Sequence, residues 1–457
     1  MALNKPQTNS TRVKAWLFRI MMACVVIAAV LLLIFYINLG PRNSSTYKGL
    51  RKVTIQKKNG HYNFYKDGKP FLVKGGAGFT HIKELSECGG NTIICWDTSK
   101  IENTLKEAAQ NNIAVIIGLD IPGGEDVAFY NNQKYVGVLY SAYSNIVNRY
   151  KDHPSLLAWC LGNELSVPFS FTPTPFYKTY NKILDQIHNI DPNHPVSTAI
   201  INIAKRRIIM MQWRIPALDF YCINIYNSIK TMQKQLNLIK LVWNGPYLIG
   251  EWAPVGGWEA PVNLWQATIE NTSTKKAEQF YEFYTKYMPV KDSRFLGSIA
   301  FYWGARQEYT HTWFSIFNEN GAPTEIKEAL CDCWKDTITQ HVSPKLKYMM
   351  VDNLGAQDNI MVTPGSKHYA SIWLQTLKST YTLQYSWQIL KDDWAMYWGE
   401  TFNFLRKPPA EVGVFTDSTM QNTSFTAPLK QGPYRIFVTV YNSKGYCANA
   451  NIPIYVE

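Results

Sequence analysis

Eight short apolar runs between residues 71 and 303 alternate with segments whose apolar residues recur at helical spacing. Strands that alternate with helices form parallel sheets with right-handed crossovers, and eight such units fit a closed barrel better than an open sheet. We therefore predict an α/β fold, a (β/α)8 TIM barrel over residues 60–340. Its strands are expected at residues 71–75, 92–96, 114–120, 156–162, 196–199, 218–225, 247–250 and 298–303.

The periodicity changes to polar and apolar alternation from about residue 344, with turn sequences between the alternating segments. This pattern is typical of an all-β sandwich, and the 344–457 segment resembles an immunoglobulin or fibronectin type III-like module. Such a module either binds glycan or braces the barrel. Four of its tryptophans could stack on sugar, although core packing explains those at alternating positions more simply: Trp373, Trp387, Trp394 and Trp398.

An uncharged stretch over residues 20–37 is long enough, with its ends included, to cross a membrane as a helix. No small-residue cleavage site follows it. We therefore interpret residues 20–39 as an uncleaved transmembrane anchor, with a cleaved signal peptide as the alternative. Residues 1–19 would form a basic cytoplasmic tail and residues 40–59 a basic linker. The body of the protein would then lie in the periplasm or outside the cell.

The formal charge of +12 is concentrated at the N-terminus. Residues 1–58 contain ten basic side chains and no acidic one, which leaves 36 basic against 34 acidic residues in the rest of the chain. No nucleic-acid-binding motif accompanies the basic segment, and its position beside the predicted membrane helix explains its charge. We expect contact with a membrane through the N-terminal helix and no nucleic-acid partner.

No residue pattern in the sequence indicates a metal or cofactor site. The histidines lack HExxH spacing, no G-x-S-x-G elbow is present, and "KGGAG" at residues 74–78 lacks the rest of a phosphate-binding pattern. The cysteines lack paired C-x-x-C spacing, and whether Cys331 or Cys333 pairs with Cys88 stays open. Three others lie in apolar strand-like runs, where small buried thiols are expected: Cys95, Cys160 and Cys222.

Two of the predicted strands end in a carboxylate. Glu164 closes the fourth strand in "WCLGNEL", and Glu251 closes the seventh in "YLIGEWAP". Because the carboxyl ends of barrel strands meet at one face, the two side chains are expected to face each other across the barrel mouth. A strand-end glutamate can also cap a helix or pair with a basic neighbour, and each motif alone is common. Their joint occurrence favours a catalytic pair.

Together with "LDFYCINIYN" and "SIAFYWGARQE", these motifs resemble the retaining glycoside hydrolases of clan A, nearest to the family 2 catalytic domain and to family 5. The resemblance covers about residues 60–335. It implies that Glu164 is the acid/base and Glu251 the nucleophile of a double displacement. That mechanism requires the two carboxyl groups to lie about 5 Å apart.

The resemblance also implies a set of substrate-binding residues. Asn163 would bind the sugar 2-hydroxyl, Tyr226 would orient and ionise the nucleophile, and Trp303 would form an aromatic floor under the sugar. The segment after the eighth strand offers four contacts: Arg306, Gln307, Glu308 and Trp313. Four carboxylates on loops at the same mouth could line a sugar subsite, although solvated loop positions are the default: Asp97, Asp120, Glu125 and Asp126.

The sequence departs from the clan at one position. Clan members often carry an arginine near the end of the second strand, where this chain has Ile94 and Cys95. That arginine helps to keep the pKa of the nucleophile low. Its absence leaves the ionisation of Glu251 to Tyr226 or to another group.

The sequence therefore predicts a membrane-anchored retaining β-glycoside hydrolase that acts on an extracytoplasmic oligo- or polysaccharide without a cofactor. Two alternatives stay open. One is a transglycosylase, which remodels glycan by transferring the glycosyl group to another sugar. The other is a non-catalytic glycan-binding scaffold that has kept the barrel.

Overall fold

The computed structural model describes residues 9–38, 52–375, 381–392 and 407–457. Helix α1 (Asn9–Asn38) contains the predicted apolar segment. Within α1, Val13–Leu31 is long and apolar enough to cross a membrane, a property that membrane anchors share with N-terminal signal sequences.

A three-stranded antiparallel sheet precedes the barrel and consists of β1 (Val53–Lys58), β2 (His61–Lys66) and β3 (Lys69–Phe71). The backbone N–H of Tyr62 donates to Ser293 O at 2.7 Å, and the buried Phe64 ring packs edge-on against Phe220 at 5.3 Å. Both partners lie at the amino ends of barrel strands, so this sheet covers the bottom of the barrel. Strand β1 falls within the segment 40–59 that the sequence indicated as a linker.

Eight parallel strands close into the predicted barrel, with the last strand paired to the first. Almost every residue in these strands is buried, because helices cover the outside of the barrel and side chains fill its interior. The strands are β4 (Val73–Ala77), β5 (Thr92–Cys95), β6 (Ala114–Leu119), β7 (Leu156–Leu161), β8 (Val196–Ile201), β9 (Phe220–Ile225), β10 (Tyr247–Trp252) and β11 (Phe295–Ala300).

The helices around the barrel are amphipathic. In α6 (Pro175–Ile190), the apolar residues Phe176, Tyr180, Ile183 and Ile187 recur at three- and four-residue spacing and are buried. The others are α2 (Ile82–Glu87), α3 (Ile101–Gln110), α4 (Val127–Asn131), α5 (Gln133–Tyr150), α7 (Lys205–Arg214), α8 (Ile229–Ile239), α9 (Ser273–Glu282) and α10 (Glu325–Lys335). A 3₁₀ turn spans Gly257–Glu259, and a π-helical turn over Phe283–Tyr287 continues α9.

One disulfide joins the first and the last of the helices that surround the barrel. Cys88, directly after α2, is bonded to Cys331 in α10, across a sequence separation of 243 residues. This pairing answers the question that the cysteine spacing left open. Cys95, Cys160 and Cys222 are free and buried, as their apolar surroundings indicated.

Two mainly antiparallel sheets follow the barrel and share a second hydrophobic core. One contains β12 (Lys345–Val351), β14 (Lys367–Gln375) and β16 (Thr423–Thr426). The other contains β13 (Met361–Val362), β15 (Leu383–Lys391), β17 (Gly432–Asn442) and β18 (Cys447–Val456). Trp387 is buried in this core, whereas Trp373 is about half exposed. Trp394 and Trp398 lie outside the described residues.

Candidate active site

A cavity of about 510 Å³ lies at the carboxyl ends of the barrel strands. Its lining includes residues that follow six of these strands, as expected for the functional face of such a barrel. The structure brings six of the predicted site residues to this one cavity: Asn163, Glu164, Tyr226, Glu251, Arg306 and Glu308.

Glu164 is positioned by the turn that ends β7. Gly162 has φ 84°, and a Cβ there would lie 2.4 Å from a Leu165 methyl group, so the turn requires glycine. Glu164 has φ 53°, and its backbone N–H donates to Ala199 O in β8 at 3.0 Å. The carboxylate is thereby directed into the cavity from the end of the fourth strand.

Asn224 in β9 connects Glu164 to its neighbour. Its Nδ2 donates to Glu164 Oε1 at 3.0 Å and to Asn163 Oδ1 at 3.1 Å. Burial raises the pKa of Glu164, while the bond from Asn224 opposes the rise. Asn224 was not among the predicted site residues, although it lies near the carboxyl end of β9, two residues before Tyr226.

Glu251 lies within β10 and is almost fully buried, with 6% of its surface exposed. The Tyr226 hydroxyl donates to Glu251 Oε2 at 3.2 Å. Burial and the charge of Glu164 raise the pKa of Glu251 to about 8, against the opposing effects of Arg306 and Tyr226. Two carboxyl groups in such a site favour a state in which the pair retains one proton.

Arg306 and Glu308 form an ion pair in the segment between β11 and α10, with Arg306 Nε 2.5 Å from Glu308 Oε2. The guanidinium also lies over the rings of Phe301 and Tyr302, at 5.1 and 5.4 Å from their centroids. Ile94 of β5 lines the cavity where the clan often has an arginine. Arg306 therefore provides, from the eighth strand's loop, a cation that lowers the pKa of Glu251.

The prediction for Trp303 is wrong. Strand β11 ends at Ala300, three residues earlier than predicted, and Phe301 and Tyr302 line the cavity instead. Trp303 is completely buried, and its Nε1 donates to His81 O at 3.0 Å. A Cβ on Gly76 would lie 2.4 Å from Trp303 Cβ, so the glycine in "KGGAG" provides space for this packing.

Two further predicted contacts lie away from the cavity. Trp313 is buried, donates from Nε1 to Val255 O at 3.0 Å, and lines a neighbouring cavity of about 320 Å³. Gln307 does not line the main cavity, although Arg306 and Glu308 on either side of it do. Of the four loop carboxylates, only Asp97 lines the site, and Asp126 caps α4 by accepting from Phe129 N at 2.9 Å.

Aromatic residues on the cavity wall were also missed. They follow the carboxyl ends of strands, which is the one signal that could have identified them: Phe79, Trp96, Trp258, Phe301 and Tyr302. Trp258 is 48% exposed and packs edge-on against Tyr226 at 4.8 Å.

Within the ranges that the structure describes, no three His, Cys, Asp or Glu side chains cluster as metal ligands would.

The comparison with known proteins gives a short but clear match. Mannan endo-1,4-beta-mannosidase F of Aspergillus clavatus is 37% identical over 76 residues, which is 17% of this chain and 17% of that protein. The enzyme of the same name from Aspergillus fumigatus is 34% identical over 76 residues, with the same coverage. The chain thus aligns with less than a fifth of the length of these relatives. No protein-family model matches it.

This chain resembles the clan A glycoside hydrolases. The mannosidase match and the closed barrel of eight parallel strands support the resemblance.

Solved structures show only distant similarity. The endo-beta-1,4-mannanase from Thermotoga petrophila has a TM-score of 0.43 and 13% identity over 86% of this chain and 99% of that one. A GH2 beta-galacturonidase from Eisenbergiella tayi has a TM-score of 0.49 and 15% identity over 63% of this chain and 54% of that one. Similarities at this level identify neither the family nor the substrate.

The contrasting positions of two tryptophans predict different effects of substitution. Trp303→Ala should lower the free energy of unfolding by about 3–5 kcal/mol, because it empties a fully buried site. Trp258→Ala should lower it by only about 1 kcal/mol, since half of that side chain is already exposed. Denaturant unfolding of both variants measures this difference. Equal losses would contradict the placement of Trp303 in the core.

Proposed function

We propose that this protein is a retaining β-glycoside hydrolase. The observation that carries the proposal is that Glu164 and Glu251, from strands β7 and β10, line one cavity, each with its own hydrogen-bond donor. Because the matched relatives are named mannan endo-1,4-beta-mannosidases, β-1,4-linked mannan is the first substrate class to test.

In the proposed mechanism, Glu251 attacks the anomeric carbon while Glu164 protonates the departing glycosidic oxygen. Glu164 then removes a proton from the water that hydrolyses the glycosyl-enzyme, so that it acts first as an acid and then as a base. The Tyr226 hydroxyl orients Glu251 and stabilises its anionic form. Asn163, fixed by Asn224, is assigned to the sugar 2-hydroxyl by the clan resemblance.

The electrostatics of the cavity set how many protons the pair carries. A reactive pair needs one anionic carboxylate and one protonated carboxyl group, and burial together with mutual repulsion favours that singly protonated state. Arg306 favours loss of a proton from the pair, whereas the negative charge of Glu308 opposes it. The ion pair therefore adjusts the pH range over which the reactive state exists.

A transglycosylase would use the same two carboxylates and differ only in the acceptor that reaches the glycosyl-enzyme. Products longer than the starting oligosaccharide would identify it. A glycan-binding scaffold would bind oligosaccharide in the cavity without turnover, so Trp258→Ala would weaken binding while substitution of Glu251 would change no rate.

We also propose that α1 is an uncleaved membrane anchor and that the folded body lies outside the cytoplasm. Basic residues precede the apolar segment, in keeping with a cytoplasmic N-terminus. The disulfide between Cys88 and Cys331 supports an oxidising compartment for the body. In a cell fractionation, the protein should sediment with membranes and retain its N-terminal peptides in mass spectrometry. A soluble native protein that begins near residue 40 would instead establish a cleaved signal peptide.

Substitution of the two carboxylates should have unequal effects. Glu251→Ala should lower turnover roughly a thousandfold or more, because the covalent route is lost, and azide should restore turnover with an inverted glycosyl azide. Glu164→Ala should spare the first step on activated aryl glycosides, and azide should then give a product of retained configuration. Product configuration by NMR distinguishes them.

Glu308→Ala provides a matched control, since Glu308 lines the same cavity but has no bond-making role. It should form no glycosyl azide. If the Glu251 and Glu164 variants both keep near-parental rates on a substrate that the parent cleaves, the assigned mechanism is wrong.

Replacing Arg306 or Glu308 by the neutral glutamine should shift the pH profile of kcat/KM, and the two shifts should be in opposite directions. The descending limb of kcat/KM is expected near pH 8, where the pair loses its last proton. Arg306→Gln removes a positive charge, so the pair retains protons more strongly and both limbs move to higher pH. Glu308→Gln removes a negative charge and moves both limbs to lower pH. Movement of both profiles in the same direction would contradict this account.

A further inference from the structure

In the C-terminal strands β17 and β18, the alternation of polar and apolar residues predicts that one face is exposed to solvent. That face is buried. In β17 and β18, Ile436 and Ile452 lie in the core between the two sheets. Four residues at intervening positions of these strands point away from that core and are nevertheless buried: Arg435, Phe437, Asn449 and Asn451. Phe437 and Asn451 are paired in register. Buried polar residues on the second face of a strand indicate a contact that satisfies them.

That contact is a buried network centred on Glu270, in the segment between β10 and α9. Glu270 Oε1 accepts from Lys276 Nζ at 2.5 Å and from Thr312 Oγ1 at 2.8 Å. Its Oε2 accepts from Thr310 Oγ1 at 2.6 Å and from Asn451 Nδ2 at 2.7 Å. Asn451 belongs to β18, whereas the other four residues belong to the barrel. One carboxylate therefore joins the two parts of the chain.

The threonines of this network lie in the segment 301–324, which also carries the Arg306–Glu308 ion pair. Arg306 and Glu308 precede Thr310 by four and two residues. The same segment contacts β17 through the His311 ring, 4.4 Å from Phe437, and through Asn318, which donates to the Tyr441 hydroxyl at 2.9 Å. One side of the segment thus lines the cavity, and the other packs on the C-terminal sheets.

We propose that the C-terminal module is a positioning part of the active site, with Asn451 as the residue that fixes the Arg306–Glu308 segment through Glu270. The effect of Asn451 on the reaction rate rests on the proposed glycosidase function. Its effect on the position of the Arg306–Glu308 segment does not.

The charge of Glu270 makes the network sensitive to loss of a partner. Burial alone would raise the pKa of Glu270, but Lys276 and the hydrogen bonds outweigh that effect and keep the pKa below its ordinary value. A buried carboxylate that loses a donor must find another or admit water. Either change moves Thr310 and Thr312, and Arg306 and Glu308 move with them.

The test compares Asn451→Ala with Asn449→Ala in the full-length protein. Asn449 is equally buried at the same interface, but its backbone N–H makes the hydrogen bond to the barrel, donating to Ser273 Oγ at 3.0 Å, and the substitution retains that bond. Hydrogen exchange of residues 304–313 should become faster in the Asn451 variant only. On a glycan that the parent cleaves, kcat/KM should fall on the order of 10- to 100-fold in that variant, with little change in the control.

A double-mutant cycle with Arg306→Ala separates positioning from general destabilisation. If Asn451 acts through the Arg306–Glu308 segment, its substitution should have little further effect on kcat/KM in the Arg306→Ala background. Equal exchange rates and equal activity losses in the two asparagine variants, or full additivity with Arg306→Ala, would overturn the inference. If the parent cleaves no glycan, the proposed function fails, and the exchange measurement alone decides the positioning role.

Discussion

The structure depends on how a cavity with four carboxylates accommodates their charge. Asp97, Glu164, Glu251 and Glu308 line it together with Arg306, the one cation among the described lining residues. Burial penalises the charged forms, and repulsion between the two strand-end carboxylates adds to that penalty. The barrel keeps the pair together because its strands fix both positions, and acid-assisted attack requires that the pair carry one proton, on Glu164.

The sequence was sufficient to predict the barrel and its two carboxylates, because both depend on local pattern. Strand-helix alternation defines the units, Glu164 follows the apolar strand β7, and Glu251 lies near the end of β10. The end of β11 was placed three residues too late because the residues from Ile299 to Trp303 are all apolar or aromatic and none of them marks the turn. That error put Trp303 in the site in place of Phe301 and Tyr302.

Other features of the site arise only from tertiary contacts. Asn224 bridges Asn163 and Glu164 across two strands, and no spacing in the sequence reports that contact. Ile94 provides no charge at the end of β5, and Arg306, from a different strand's loop, is the cation that opposes the rise in the pKa of Glu251. The alternation in β17 and β18 correctly predicted sheets, but it could not show that their polar face is buried on the barrel.

Covalent trapping of the nucleophile tests the central claim most directly. An activated 2-deoxy-2-fluoro β-glycoside of the sugar that the enzyme cleaves should add one glycosyl group to the intact protein. Peptide mapping should locate that group on Glu251, and the Glu251→Ala variant should stay unlabelled. A label on Glu164 or Glu308, or no label on a protein that hydrolyses the parent glycoside with retention, would contradict the assignment of Glu251 as nucleophile.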